Sequence, residues 1–182
     1  EMNASYETRR QELTRYFDRT AASAWTALTS DAPVSRIRAT VRAGRDEMRA
    51  QLLAWLPEDL RGRTLFDAGC GTGSLAVEAA ARGARVMAVD VSPTLIEVAR
   101  RRTPAELAGR IDFAVGDMLD GAGGRFDFVV AMDSLIHYDL DDAVRMIASL
   151  AGLSTGSIMF TFAPHTRLLA VMHTVGRLFP RS

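Results

Sequence analysis

Between a short apolar run and a helical stretch, the sequence places Asp67, Gly69, Gly71 and Gly73 at alternating positions. Glycines so spaced tolerate positive φ and let a ligand approach the main chain, while the N–H groups opening the following helix favour an anion. Alone this is a weak signal, because a tight turn with no ligand can have the same spelling. Two further acids change its weight. Asp90 closes the next apolar run, where a carboxylate can accept both hydroxyls of a ribose. Gly116-Asp117-Met118 closes the one after, where an acid and an apolar side chain can flank an adenine. Each acid taken singly reads as a cap or turn residue. In series at the C-terminal ends of successive strands, they mark the ligand-binding edge of an open α/β sheet. Two polar groups could serve the reacting end. His137 follows the fourth run and carries an imidazole that titrates near neutrality, and Tyr16 carries a phenol that can donate to a carboxylate.

The elements that must position these groups follow from hydrophobic period. Residues Tyr6 to Leu28 predict one helix, broken by Asp31, Ala32 and Pro33, and Val34 to Trp55 a second, closed by Pro57. Strands are predicted at 64–68, 85–90, 111–115, 126–132 and 157–163, with helices at 75–81, 92–101 and 141–150 between them. Ser92 and Pro93 supply an N-cap and an N1 proline. The strands are apolar on both sides, as in a parallel sheet covered on both faces, and the alternation implies right-handed βαβ units. The expected fold is therefore a Rossmann-like, doubly wound, mostly parallel sheet. Residues 1–57 are expected as an N-terminal helical cap and 58–182 as the core. The last stretch, 166–179, is amphipathic.

Composition narrows the class. At 182 residues, with 48% hydrophobic and 24% charged residues, the chain fits one globular domain. Lys+Arg of 22 against Asp+Glu of 22 gives no basic excess to suggest a nucleic-acid partner. Every basic residue of that count is arginine. A single cysteine, Cys70, rules out an internal disulfide framework, fits a cytoplasmic location and reads as a small residue between glycines. Arg100-Arg101-Arg102 reads as cations at the negative end of a helix. Arg42 and Arg45 read as a solvated helix face, with a cofactor carboxylate as the other reading.

The glycine pattern by itself leaves a dinucleotide open. Counted from Gly69, the third glycine place of G-x-G-x-x-G falls on Ser74, but counted from Gly71 the G-x-G-x-x-A variant fits through Ala76. Asp67 argues against it. The segment D-A-G-C-G-T-G at 67–73 resembles the first motif of class I S-adenosylmethionine-dependent methyltransferases, with Asp90 and Gly116-Asp117 matching the next two. That resemblance implies S-adenosylmethionine as cofactor, with Asp67 and Gly69 near its methionine end, Asp90 on the ribose, and Asp117 with Met118 at the adenine. Gly71, Gly73, Val91, Ser92 and Met132 complete the implied cofactor site.

The segment A-M-D-S-L-I-H-Y at 131–138, with R-Y-F-D-R-T-A at 15–21 and L-F-P-R-S at 178–182, resembles the magnesium-protoporphyrin IX O-methyltransferases of bacteriochlorophyll synthesis. The resemblance implies Mg-protoporphyrin IX as substrate, methylated on one propionate carboxylate. It also suggests a magnesium chelatase subunit as partner, and leaves peripheral membrane contact open. His137 and Tyr16 are then the polar groups expected to face the porphyrin, and no catalytic metal is expected. Class I methyltransferases have seven strands against five here, so the chain is expected to be incomplete. Two alternatives stay open: a methyltransferase of a quinone, lipid or small acid, and a nonenzymatic nucleotide-binding module. Binding of S-adenosylhomocysteine against NAD separates the module from the enzymes. Quenching of the visible band of Mg-protoporphyrin separates the enzymes from each other.

If Asp90 holds the ribose, Asp90→Ala weakens cofactor binding by about 1.5–3 kcal/mol, the worth of hydrogen bonds to a charged group. Calorimetry on the folded variant checks this, and unchanged affinity contradicts it.

Overall fold

The computed structural model describes residues 4–29, 36–120 and 123–162. Five parallel strands form one sheet: β1 (Thr64–Ala68), β2 (Arg85–Asp90), β3 (Ile111–Val115), β4 (Phe126–Ala131) and β5 (Ser154–Phe160), in the order β3-β2-β1-β4-β5. The order reverses between β1 and β4, and the C-terminal edge at that reversal is where open α/β sheets bind ligands. The predicted doubly wound fold is the observed one. The amphipathic stretch 166–179 lies outside the described residues.

Alternate side chains of the strands feed two apolar layers, which is why none of the central strands has a polar face. Leu65, Val86, Ile111 and Val130 pack on one side with Leu52, Leu53 and Leu56 of helix α3 (Arg36–Ala54) and its continuation, and with Ala76 and Ala79 of α4 (Ser74–Ala81). Phe66, Val89, Val129 and Ala131 pack on the other with Tyr6 of α1 (Ala4–Arg15) and Met146 and Leu150 of α6 (Leu140–Gly152). Between β2 and β3 runs α5 (Pro93–Arg102). It starts as the sequence predicts, with the Ser92 hydroxyl accepting from the Leu95 N–H at 3.2 Å and proline in the first turn.

Several boundaries differ from the sequence reading, those of the N-terminal helix and the last two strands among them. The helix predicted over 6–28 is interrupted by a π turn at Tyr16–Ala21, after which α2 (Ala22–Leu28) resumes. Apolar spacing cannot signal one wide turn, and this one is stabilised through tertiary contact. The Asp18 carboxylate accepts from Thr94 Oγ1 at 2.6 Å and the Thr94 N–H at 3.3 Å, on the positive N-terminal end of α5. The fifth strand begins at Ser154 rather than 157, and ends at Phe160. Ser154-Thr155-Gly156 has turn composition, yet it carries a bulge against Phe126–Phe128, and a Cβ on Gly156 would lie 2.5 Å from the Asp127 carbonyl oxygen. The fourth strand ends at Ala131, one residue early.

The N-terminal helices lie across the C-terminal edge of the sheet and are tied there by polar groups. The Arg102 guanidinium donates to the Thr26 and Thr29 carbonyls at 2.8 and 3.1 Å, closing the C-terminal end of α2. Arg42 donates to the Ala27 carbonyl at 2.8 Å. The Tyr6 hydroxyl sits 2.6 and 2.7 Å from the two oxygens of Asp117, and its ring stacks on Tyr138 at 5.3 Å. Burial and the Asp117 charge both raise the pKa of the Tyr6 phenol, which therefore stays the donor.

Tyr6→Phe keeps the ring and removes that donor from a buried carboxylate. It is expected to cost about 1.5–3 kcal/mol, read as a lower urea midpoint with an unchanged slope.

Candidate active site

A cavity opens at the strand-order reversal, bounded below by the ends of β1, β2 and β4 and above by the N-terminal helices. It encloses about 880 Å³, its open mouth included.

Its floor is the glycine loop after β1. Gly69, Gly71 and Gly73 all have positive φ, at 80°, 55° and 79°. The Gly69 and Cys70 N–H groups donate to the Val89 carbonyl, at 2.8 and 3.0 Å, holding the loop against β2. A Cβ on Gly69 would lie 2.5 Å from the Ser134 Cβ, and one on Gly73 would lie 3.0 Å from the Ala99 Cβ. The first and third glycines are thus demanded by packing as well as by conformation.

Two acids face this floor, Asp67 buried and Asp90 half-buried. Asp90 accepts from the Gly71 N–H and the Ser92 N–H, each at 2.9 Å, one on each carboxylate oxygen. That fixes the carboxylate while leaving a lone pair on each oxygen for a further donor. Burial raises the Asp90 pKa and these backbone bonds oppose the rise. Asp67 is more extreme. It is 2% exposed and one of its carboxylate oxygens has no hydrogen-bond partner. Burial, then the Asp90 charge, push its pKa up to about 7, against a backbone hydrogen bond from Ala76. A buried acid of this kind suits a cationic ligand group, which would restore its ordinary ionisation. Cys70 beside them is driven well above its usual pKa by burial and both acids, so it is no nucleophile.

The wall comes from the helices. Arg45 of α3 stacks over the Trp25 ring at 4.1 Å and forms an ion pair with Asp133. Phe17 packs edge-on against Trp25 at 5.7 Å and against His137 at 5.4 Å. The reading of Arg45 as a solvated face is corrected: its side chain is 19% exposed and lines the cavity, and burial lowers its pKa despite Asp133. Arg42 instead serves the helix tie described above. His137 carries a pKa lowered first by burial and then by the Arg9 charge, with Asp133 opposing, so its imidazole is neutral at neutral pH.

Of the residues expected from the sequence, Asp67, Gly69, Gly71, Asp90, Val91, Met118, Met132 and His137 line the cavity together. Gly73, Ser92, Asp117 and Tyr16 are outside the lining. Gly73 packs α4 against α5 and β3. Ser92 caps α5. The Asp117 carboxylate is engaged by Tyr6, by the Leu119 N–H at 2.9 Å and by Arg10 at 3.6 Å. Tyr16 is 54% exposed, because in the widened turn Phe17 takes the inward position. The sequence reading missed Phe17, Trp25, Asp133 and Tyr138 as lining residues. Asp133 and Tyr138 stood within the quoted 131–138 segment. Trp25 and Phe17 stood within the helix predicted over 6–28.

A family model for the magnesium-protoporphyrin IX methyltransferase C-terminus matches residues 131–182, and a general methyltransferase-domain model matches 65–155. The magnesium-protoporphyrin O-methyltransferase of Rhodobacter capsulatus is 52% identical over 182 residues, which is all of this chain and 81% of that protein. The crystal structure of magnesium protoporphyrin IX methyltransferase from Synechocystis PCC 6803 with bound SAH superimposes with a TM-score of 0.85. Identity there is 33%, over 95% of this chain and 80% of that one. With bound SAM, the same enzyme gives a TM-score of 0.82 at 30% identity, over 97% and 88%.

The Asp67 geometry yields a pH-dependent stability. Its folded pKa of about 7 exceeds its unfolded one, so the folded state binds the proton more tightly. Stability then falls as pH rises from about 4 to about 7, and levels off above. Asp67→Asn removes that penalty. Its gain over the wild type is expected to be small at pH 4.5 and on the order of 2–4 kcal/mol at pH 8. Urea midpoints at the two pH values measure it, and an equal difference at both counts against the buried-acid account.

Proposed function

The chain belongs to the magnesium-protoporphyrin IX methyltransferase family, and from that premise we propose which residues carry its reaction. It is an S-adenosylmethionine-dependent O-methyltransferase acting on Mg-protoporphyrin IX in (bacterio)chlorophyll biosynthesis. The observation that carries the residue assignment is the unpartnered buried oxygen of Asp67 beside a glycine cradle. That constellation fits a ligand with both a cationic end and a hydroxylated sugar.

Asp67 and Gly69 are assigned to the methionine end, where the cofactor's ammonium and sulfonium charges lie. Asp90, already oriented by two backbone donors, accepts from the ribose hydroxyls. Val91 and Met118 supply apolar surface for the adenine. Asp117 acts from behind, holding α1 in place through Tyr6. Bound S-adenosylmethionine supplies an electrophilic methyl group on a sulfonium. The acceptor propionate, with a pKa near ~4–5, is ionised at neutral pH, so no general base is required of this chain. Attack by a carboxylate on a sulfonium annihilates charge, and a water-poor setting favours that. Phe17, Trp25 and Met132 exclude water. His137, neutral and beside the mouth, can donate to the propionate or bind the porphyrin magnesium through a free ring nitrogen. Tyr16 stands at the outer rim, where a macrocycle wider than the cavity would extend.

We infer further that residues 1–57 act as a cap over a core of 58–182, and that the protein works in the cytoplasm. Substrate delivery by a magnesium chelatase subunit is supported by the family resemblance. Peripheral membrane contact is supported by exposed Ile136, Leu140 and Val144. No helix among the described residues is long and apolar enough to cross a membrane.

Incubation with methyl-labelled S-adenosylmethionine and Mg-protoporphyrin IX is expected to yield the monomethyl ester, identified by mass. Label entering a quinol but not the porphyrin overturns the reading. His137→Ala is expected to lower single-turnover rate by about 10- to 100-fold, the worth of one hydrogen bond to a charged group, with affinity for S-adenosylhomocysteine retained.

A further inference from the structure

Asp133 is the one non-glycine residue with positive φ among the described residues, at 55°. Such a conformation persists where the surroundings over-determine it, and they do here. Its N–H donates to Thr161 Oγ1 at 2.7 Å, tying the turn to the end of β5. The next residue, Ser134, donates to the Ala68 carbonyl at 3.0 Å and fills the space a Gly69 Cβ would need. The turn is therefore wedged between the ends of two strands, and its carboxylate is 11% exposed and paired with Arg45. Arg45 in turn lies on Trp25. On the other side, the single 3-10 turn Leu135–His137 follows directly, so the Asp133 turn sets where that turn and its imidazole begin, and the Asp133 charge opposes that of Arg9 on the ring.

We propose that Asp133 is a positioning residue of the transfer: from one left-handed turn it holds Arg45 and Trp25 on the cap side of the cavity and orients His137 on the acceptor side. This rests on the reading of His137 as a group that faces the acceptor. The carboxylate does not touch the reacting atoms. Its charge is answered by Arg45.

The test uses Asp133→Asn and Asp133→Gly, both of which tolerate the left-handed turn and delete the charge. Expected are a kcat lower by on the order of tenfold or more and a raised KM for the porphyrin, with S-adenosylhomocysteine affinity within about threefold of wild type. Two signatures accompany this that loss of stability alone does not give. The His137 ring signals titrate at lower pH by NMR, and Trp25 emission, read in a Trp55→Phe background, changes as Arg45 leaves its face. Unchanged kcat, His137 titration and Trp25 emission overturn the proposal. Full activity of His137→Ala would instead remove the functional reading beneath it, while the Trp25 signal would still show whether Asp133 pins the cap.

Discussion

Burial of carboxylates at one edge of the sheet is the constraint that organises this molecule. Parallel strands end together, and Asp67, Asp90 and Asp117 all sit at those ends, the first and last buried and Asp90 half-buried. Each charge must be answered, and the three answers are different. Asp90 is answered by backbone N–H groups of the glycine loop and of the turn that opens α5. Asp117 is answered by a phenol and a guanidinium from α1. Asp67 is answered only in part, and that shortfall leaves a buried oxygen with no hydrogen-bond partner at the cavity floor. The same chemistry thus docks a helix at one strand end and leaves room for a ligand at another.

Because α1 is recruited by Asp117, the N-terminal helices are part of the site's electrostatics and not a separate lid of apolar packing. The π turn follows from the same logic. Its wide geometry carries Asp18 onto the first turn of α5 and turns Phe17 inward, at the cost of one irregular segment in an otherwise regular path. Arginines then tie the remaining loose ends: Arg102 and Arg42 take carbonyls at the end of α2, and Arg82 takes the Leu53 carbonyl at 2.6 Å near the end of α3.

What was legible in the sequence was local. Strand positions, the Ser92-Pro93 helix start, the glycine loop and the acids at strand ends all follow from period and spacing, which short stretches of chain decide for themselves. What was hidden depended on partners far along the chain. Asp117 has the right spelling for an adenine ligand, but Tyr6, 111 residues away, engages its carboxylate. Arg45 reads as a solvated charge until Trp25 and Asp133 are seen on either side of it. The start of β5 was missed because a glycine suited to a bulge looks, in sequence, like a glycine suited to a turn. Tyr16 and Phe17 are adjacent aromatics, and which one faces inward is set by a turn that hydrophobic period cannot reveal.

The near-contact between Gly69 and Ser134 has an evolutionary corollary. One residue belongs to the glycine loop that floors the cavity and the other to the turn after β4, yet their volumes form a single shared quantity. A side chain at 69 could be admitted only by emptying 134 or by moving one of the two segments apart. Change at the glycine is therefore closed off until the turn changes first, and the two segments should drift by coupled steps rather than one position at a time.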